Sequence, residues 1–239
     1  RFLSEFTVKG FLGRGAFCCV FQAVNKYDNW EYAVKRVAVG NGVGETAFRE
    51  VRAMAQLDHP NIIRYNSTWV EKPPEGWQVL APISTSTFKN FFRWMLHSNF
   101  ATACVFIYIQ MQLASHSLHD WLKENQDQSS RNLDTLKLWF KQIVSAVEYI
   151  HSKNLIHRDL KPSNILFVEM DHLKICDLGI AAERKHDDGF SSEITGTCVG
   201  TSLYMSPEQN TSFQPTRFSS KSDVFTIGLI LAELCLVIT

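Results

Sequence analysis

Apolar residues between positions 6 and 39 gather around Gly-rich turns in three short runs, FTVKGFLG, CCVFQAVN and EYAVKRVAV. Runs of this kind, bounded by turn residues, predict three antiparallel strands. The period then lengthens. In ETAFREVRAMAQL, 45–57, Phe48, Val51 and Ala55, with Met54 at their margin, fall at helical spacing. His59-Pro60 ends that helix, because the residue before a proline is driven out of the α region. NIIRYNSTWVE reads as strand again. Residues 72–100 lack a clean period and open on Pro73-Pro74 and Gly76, so they read as an insertion, with FKNFFRWML as a short helix inside it. ACVFIYIQMQL, 103–113, is a strong strand.

Helical spacing dominates the remainder of the chain. SLHDWLKEN opens a helix with Ser117 as its N-cap. LDTLKLWFKQIVSAVEYIHSKN, 133–154, carries one apolar face of Leu136, Phe140, Ile143, Val144, Val147 and Ile150. Short strands come next in ILFVE and LKICD, then a polar stretch, 183–202, and a last helix from about Ser222. A strand-rich part, 1–113, thus precedes a helix-rich part, 114–239, which is an α+β arrangement without internal repeats.

Composition narrows the function classes. Lys plus Arg equals Asp plus Glu, 24 each, so no bulk charge points to nucleic acid or an acidic membrane, and any anion site must be local. The six cysteines form no C-x-x-C pair, which argues against zinc and against a disulfide framework and for reduced thiols in the cytosol. The most apolar stretch, VFTIGLILAELCLVIT, is short for a membrane span and carries Glu233, so it reads as a buried helix. Arg1 at the start and the absence of a stop signal before Thr239 suggest a fragment of a longer protein.

Four constellations carry candidate chemistry. GRGAFCCV, Gly13 to Val20, is a Gly-rich turn whose backbone N–H groups suit phosphate, although a plain hairpin reads equally well. Lys35 sits in an apolar strand, where a charge needs a partner, and Glu50 can supply one, with Glu45 as a weaker alternative. LIHRDLKPSN places Asp159 to orient a hydroxyl proton, Lys161 to neutralise a phosphate and Asn164 to offer a carbonyl oxygen to a hard cation such as Mg²⁺. DLG, 177–179, adds the Asp177 carboxylate at a strand end.

In this order the motifs resemble the eukaryotic protein kinases over nearly the whole chain: Gly-rich loop, strand Lys, helix Glu, H-R-D-L-K-P-S-N, a D-F-G-like triplet and an A-P-E-like SPE. The resemblance implies a bilobal fold, a small lobe over 1–113 and a C-terminally incomplete large lobe over 114–239, with ATP and Mg²⁺ between them. It assigns Gly13 and Gly15 to the ATP phosphates and Leu12, Val20, Ala33 and Leu166 to the adenine sandwich. Met111 becomes the gatekeeper and Gln112 to Ala114 the hinge. Lys35 holds the α- and β-phosphates and pairs with Glu50; Asp159 is the base, Lys161 meets the γ-phosphate, and Asn164 and Asp177 bind the metal. Lys161 two residues after the base is the serine/threonine pattern. Arg158 would meet a phosphate on Thr195 or Thr197, Thr201 would pack beside the base, and Asp223 would brace the loop.

HPNIIRYNSTWVE, IYIQMQLA, VGTSLYMSPEQ and GLILAEL resemble more narrowly the kinases of translation initiation factor 2α, and within them lean to the endoplasmic-reticulum-resident branch. That implies a protein substrate, a homodimer through the small lobe, and a kinase domain facing the cytosol from a parent anchored in that membrane. Departures are Cys18 at the third loop glycine, Leu178 for phenylalanine, and Glu208 without the arginine that usually pairs with it. They leave a rival reading open: a non-catalytic module that binds nucleotide or a sister kinase.

Overall fold

The computed structural model describes residues 1–15, 18–39, 44–72, 105–127, 131–178, 182–183, 202–207 and 219–236, with only the backbone at 44–47, 182–183 and 202. The expected insertion at 72–100, with its FKNFFRWML helix, lies outside the described residues but for Lys72, as does most of the polar stretch 183–202. The chain divides into two compact units: Arg1–Val51 with Tyr65–Leu113, and Arg52–Arg64 with Ala114–Thr239.

The first unit is built on a five-stranded antiparallel sheet in the order β1-β2-β3-β5-β4. Its strands are β1 (Phe6–Arg14), β2 (Cys18–Asn25), β3 (Glu31–Val39), β4 (Tyr65–Glu71) and β5 (Val105–Gln112). Alternation gives the sheet two faces. On one, Ala23, Val34, Phe106 and Tyr108 join Phe2, Phe6 and Trp69 in an aromatic core. Phe2 comes from the short helix α1 (Phe2–Glu5) and stacks on Tyr108 at 4.9 Å. On the other face lie Val20, Lys35 and Ile109, directly opposite one another, with Ala33 opposite Met111.

Helix α2 (Gly44–Ala55) forms where the period predicts it, but on a different face. Glu50, Ala53, Met54 and Leu57 are buried, while Phe48 and Ala55 are exposed. The reason is Glu50: its carboxylate turns inward to meet Lys35, which an apolar-only pattern does not anticipate. NIIRYNSTWVE also splits. β4 begins at Tyr65, whereas Ile62 bridges Ile175 in parallel within the second unit.

In the second unit, Ser117 caps α3 (Leu118–Glu124) in a full capping box with Asp120. The long helix α4 (Leu133–Ser152) is capped by Asn132. It buries Leu136, Trp139, Ile143, Ala146, Val147 and Ile150, with Trp139 and Ala146 in place of the expected Phe140 and Val144. Trp139 is drawn in by edge contacts to Trp121 and Phe167 at 4.8 and 4.9 Å and by a bond from its Nε1 to Asp171. β6 (His116–Ser117), β8 (Ile165–Glu169) and β9 (His172–Ile175) form a small sheet, and β7 (Leu155–Ile156) pairs with β10 (Ala182–Glu183). Helix α5 (Ser220–Cys235) buries Ser222, Asp223, Thr226, Ile227, Ile230 and Leu234. No helix among the described residues is long and apolar enough to cross a membrane.

Candidate active site

The segment 157–164 runs from the end of β7 into a 3-10 turn, Pro162–Asn164, that leads to β8. It lacks a ladder of its own, and its first two backbone N–H groups are satisfied from elsewhere. Asp223, 1% exposed on the first turn of α5, accepts the N–H of His157 and of Arg158 at 2.9 Å each. His151, in the last turn of α4, places Nε2 2.7 Å from the same carboxylate. Burial alone would raise the Asp223 carboxyl, but the His151 bond, the charge of His157 and the two backbone donors hold it below its usual range. The sequence points to Asp223. It misses His151, whose signal is a polar residue next to Ile150 at the end of the apolar face of α4.

This clamp holds Arg158 at a φ of 70°, in the left-handed region that side chains rarely adopt. Asp159 is the next residue. Its Oδ2 lies 2.7 Å from Lys161 Nζ and accepts from Asn164 Nδ2 at 3.1 Å, while Asn164 Nδ2 also donates to the Asp159 carbonyl at 2.8 Å. One carboxylate therefore meets an ammonium and an amide and keeps a second oxygen for another proton. The Asn164 carbonyl also accepts the Cys176 N–H at 2.9 Å, and His157 Nε2 bonds the Cys176 carbonyl at 3.0 Å, which ties the loop to the end of β9. Asp177 comes after it, at a φ of 63°, with Leu178 buried behind it.

A segment that the sequence assigns no role fixes β9 from its other side. Asn61 donates to the Leu173 carbonyl and to Gln142 Oε1, and its carbonyl accepts the Ile175 N–H. Gln142 in turn accepts the Leu173 N–H at 2.7 Å. The side chains thus supply the pairing that a longer strand would otherwise give.

In the first unit, Lys35 Nζ meets Glu50 Oε1 at 2.6 Å, with side chains 11% and 6% exposed. Val20, Ala33 and Met111 share the Lys35 face, and Leu12 is the extra residue of a bulge between Phe11 and Gly13 on β1. Gln112 stands opposite Tyr32, so alternation puts its side chain on the other face from Met111. A Cβ at Gly15 would stand 2.7 Å from Cys18 Sγ, so that side chain would have to turn aside, and the Gly15 N–H bonds the Cys18 carbonyl. Ala114 and Leu166 belong to the second unit, with Leu166 opposite Ser117 on β6. Gly179, Thr195, Thr197, Thr201 and Glu208 lie outside the described residues.

The family model described as protein kinase domain matches residues 6–238. The chain belongs to the protein kinase domain family. Over 98% of its length it is 39% identical to the interferon-induced, double-stranded RNA-activated protein kinase of Rattus norvegicus. It is 25% identical over 98% to eukaryotic translation initiation factor 2-alpha kinase 3 of Bos taurus, and 28% identical over 98% to the eIF-2-alpha kinase GCN2 of Mus musculus. It spans 41%, 38% and 21% of those proteins' lengths. Its relatives thus include kinases named for translation initiation factor 2-alpha. The expected lean to the endoplasmic-reticulum branch does not stand: the double-stranded RNA-activated relatives match at higher identity over the same share of the chain.

Proposed function

We propose that the chain is an ATP-dependent protein serine/threonine kinase acting on translation initiation factor 2α. The observation that carries this is the Asp159 carboxylate, held by Lys161 and Asn164 on a loop clamped at Asp223. Phosphoryl transfer asks mainly for positioning and charge neutralisation, and this loop is built for both. In the proposed reaction the substrate hydroxyl oxygen bonds to the γ-phosphorus, the bond from that phosphorus to the β-bridging oxygen breaks, and Asp159 takes the hydroxyl proton. Lys161 neutralises the γ-phosphate. Lys35, oriented by Glu50, serves the α- and β-phosphates. Gly13 and Gly15 cover the phosphates, while Leu12, Val20, Ala33, Met111, Gln112, Ala114 and Leu166 serve the adenine.

Asn164 and Asp177 fit Mg²⁺. The side-chain nitrogen of Asn164 is committed to Asp159, and its Oδ1, distinct from the backbone carbonyl that meets Cys176, is a hard oxygen donor. When bound, Mg²⁺ supplies charge neutralisation at those phosphates.

The same reading includes phosphorylation at Thr195 or Thr197, a homodimer through the first unit and action in the cytosol on a pathway that lowers translation. The chain is incubated with Mg-ATP and purified initiation factor 2α beside an Asp159→Asn control. We expect transfer at least about a hundredfold above the control. Transfer equal to the control, with ATP still raising the unfolding temperature, would leave a nucleotide-binding module instead.

A further inference from the structure

The aromatic face of the first unit's sheet stays open at the end where β1 runs into the Gly-rich turn. Phe11 stands opposite Phe21 on β2, and the two rings meet edge to face with centroids 6.0 Å apart. Phe21 packs against the aromatic core, whereas Phe11 lies beyond it and is 51% exposed. Two positions along β2, Cys19 stands between Arg14 on β1 and Arg36 on β3, which places both guanidinium groups on this face.

Arg36 is set in place before any partner arrives. Its guanidinium lies over the Phe106 and Phe21 rings, 4.7 and 5.2 Å from their centroids, and donates to the Tyr108 hydroxyl. A guanidinium has five N–H donors, more than one hydroxyl uses, so the held fork can still bond a carboxylate. Arg14 is exposed, and Lys9, the extra residue of the bulge between Val8 and Gly10, adds a third cation.

A single exposed ring is ordinary on a protein surface. Here it adjoins cations in a stretch without acid: no Asp or Glu occurs from Val8 to Tyr27 or from Tyr32 to Val39. Glu71, the carboxylate that acts on Tyr108, is taken up by the Phe2 N–H and by Trp69 Nε1. The edge of β1 is a poor template for an added strand, because the bulges at Lys9 and Leu12 break its register. Side chains are therefore the docking elements. Three cations are too few for a polynucleotide or an anionic bilayer, whose affinity rests on many phosphate contacts. They suit carboxylates, and Phe11 suits a ring carried beside them. We propose that this end of the sheet docks an acidic segment of a partner protein with an aromatic residue among its carboxylates. The proposal does not depend on the kinase reading.

The probe is a fluorescein-labelled peptide of Asp-Phe-Asp repeats, titrated against the full chain by anisotropy, with Asn-for-Asp and Ala-for-Phe peptides beside it. Phe11→Ala should weaken binding roughly fivefold and Arg14→Gln roughly threefold, with unfolding midpoints unchanged because both side chains are exposed. Tyr27→Ala, at the other end of the strands, should bind as wild type does. Both altered peptides should bind more weakly. The proposal is overturned if wild type shows no saturable binding up to millimolar peptide, or if Phe11→Ala and Arg14→Gln bind as wild type does. Equal weakening by Tyr27→Ala also overturns it. So does tighter binding of an oligothymidylate or of phosphatidylserine vesicles that the same two variants weaken, since the face would then serve phosphate. A dimer in light scattering that Phe11→Ala dissolves would make the face a self-interface and overturn it too.

Discussion

The Asp223 carboxylate accepts the backbone N–H of Arg158 at 2.9 Å, and Arg158 sits in the left-handed region at a φ of 70°. A helix thereby holds the residue before Asp159 in a conformation it would not choose. Asp223→Ala removes the acceptor for two buried N–H groups, each worth about 1–3 kcal/mol when left unmet. We expect a stability loss of about 3 kcal/mol in urea denaturation. Asp223→Asn keeps one acceptor oxygen and should lose roughly half of that. In a phosphorylation assay both variants should lose turnover, because Asp159 is positioned through this bond. A stable Asp223→Ala protein with unchanged turnover would refute the clamp.

The Lys35–Glu50 pair is nearly dry on both sides. Removing one partner strands the other charge, which costs about 3–5 kcal/mol, whereas replacing both by apolar residues is often neutral. Lys35→Met alone should therefore be markedly less stable than Lys35→Met with Glu50→Leu. Thermal unfolding of the two variants, with Glu50→Leu completing the cycle, measures this. A double-variant loss equal to the sum of the two single losses would show that the pair is not energetically coupled.

Much of the fold and of the site was legible in the sequence, and the failures share one cause. The strands of the first unit, the Ser117 cap and the residues of 157–164 emerge from local pattern. The faces of α2 and α4 do not. Each is turned by a polar contact: Glu50 reaches Lys35, and Trp139 reaches Asp171. Hydrophobic periodicity sees only apolar burial, so a helix whose orientation is set by a buried polar partner is read slightly rotated. The Asn61 and Gln142 stitching of β9 is invisible for the same reason, since two amides act there as backbone partners.

Arg131 closes the C-terminal end of α5. Its Nη1 donates to the carbonyls of Glu233 and Leu234 at 2.8 and 2.9 Å, and its Nε and Nη2 donate to the Asn125 carbonyl. Carbonyls at a helix end lack intrahelical donors, and the planar guanidinium serves three of them at once while lying over the Trp121 ring. Arg131→Ala should lose about 2 kcal/mol. Arg131→Lys should recover little, because an ammonium cannot reproduce the fork. Denaturation curves in which lysine fully restores stability would show that charge, not geometry, holds the helix end.

His59 gives the second unit a defined response to acid. Its Nδ1 accepts the Asn61 N–H at 3.1 Å, its ring stacks on Tyr149 at 5.0 Å, and Nε2 lies 3.3 Å from Ser145 Oγ. An acceptor nitrogen cannot carry a proton. Burial and then the Lys174 cation lower the folded pKa below the ordinary 6.5. The unfolded chain therefore binds the proton first as pH falls, so this contribution is complete above about 6.5 and is lost as pH drops from there toward the folded value. His59→Phe keeps a ring against Tyr149 but removes both the acceptor and the titration. It should be less stable than wild type at pH 8 by about 1 kcal/mol, with the gap narrowing as pH falls to 5.5. Urea denaturation of both proteins across this range, compared as a difference, isolates His59 from the other histidines. A gap that stays constant with pH would mean that folding leaves the imidazole pKa unshifted.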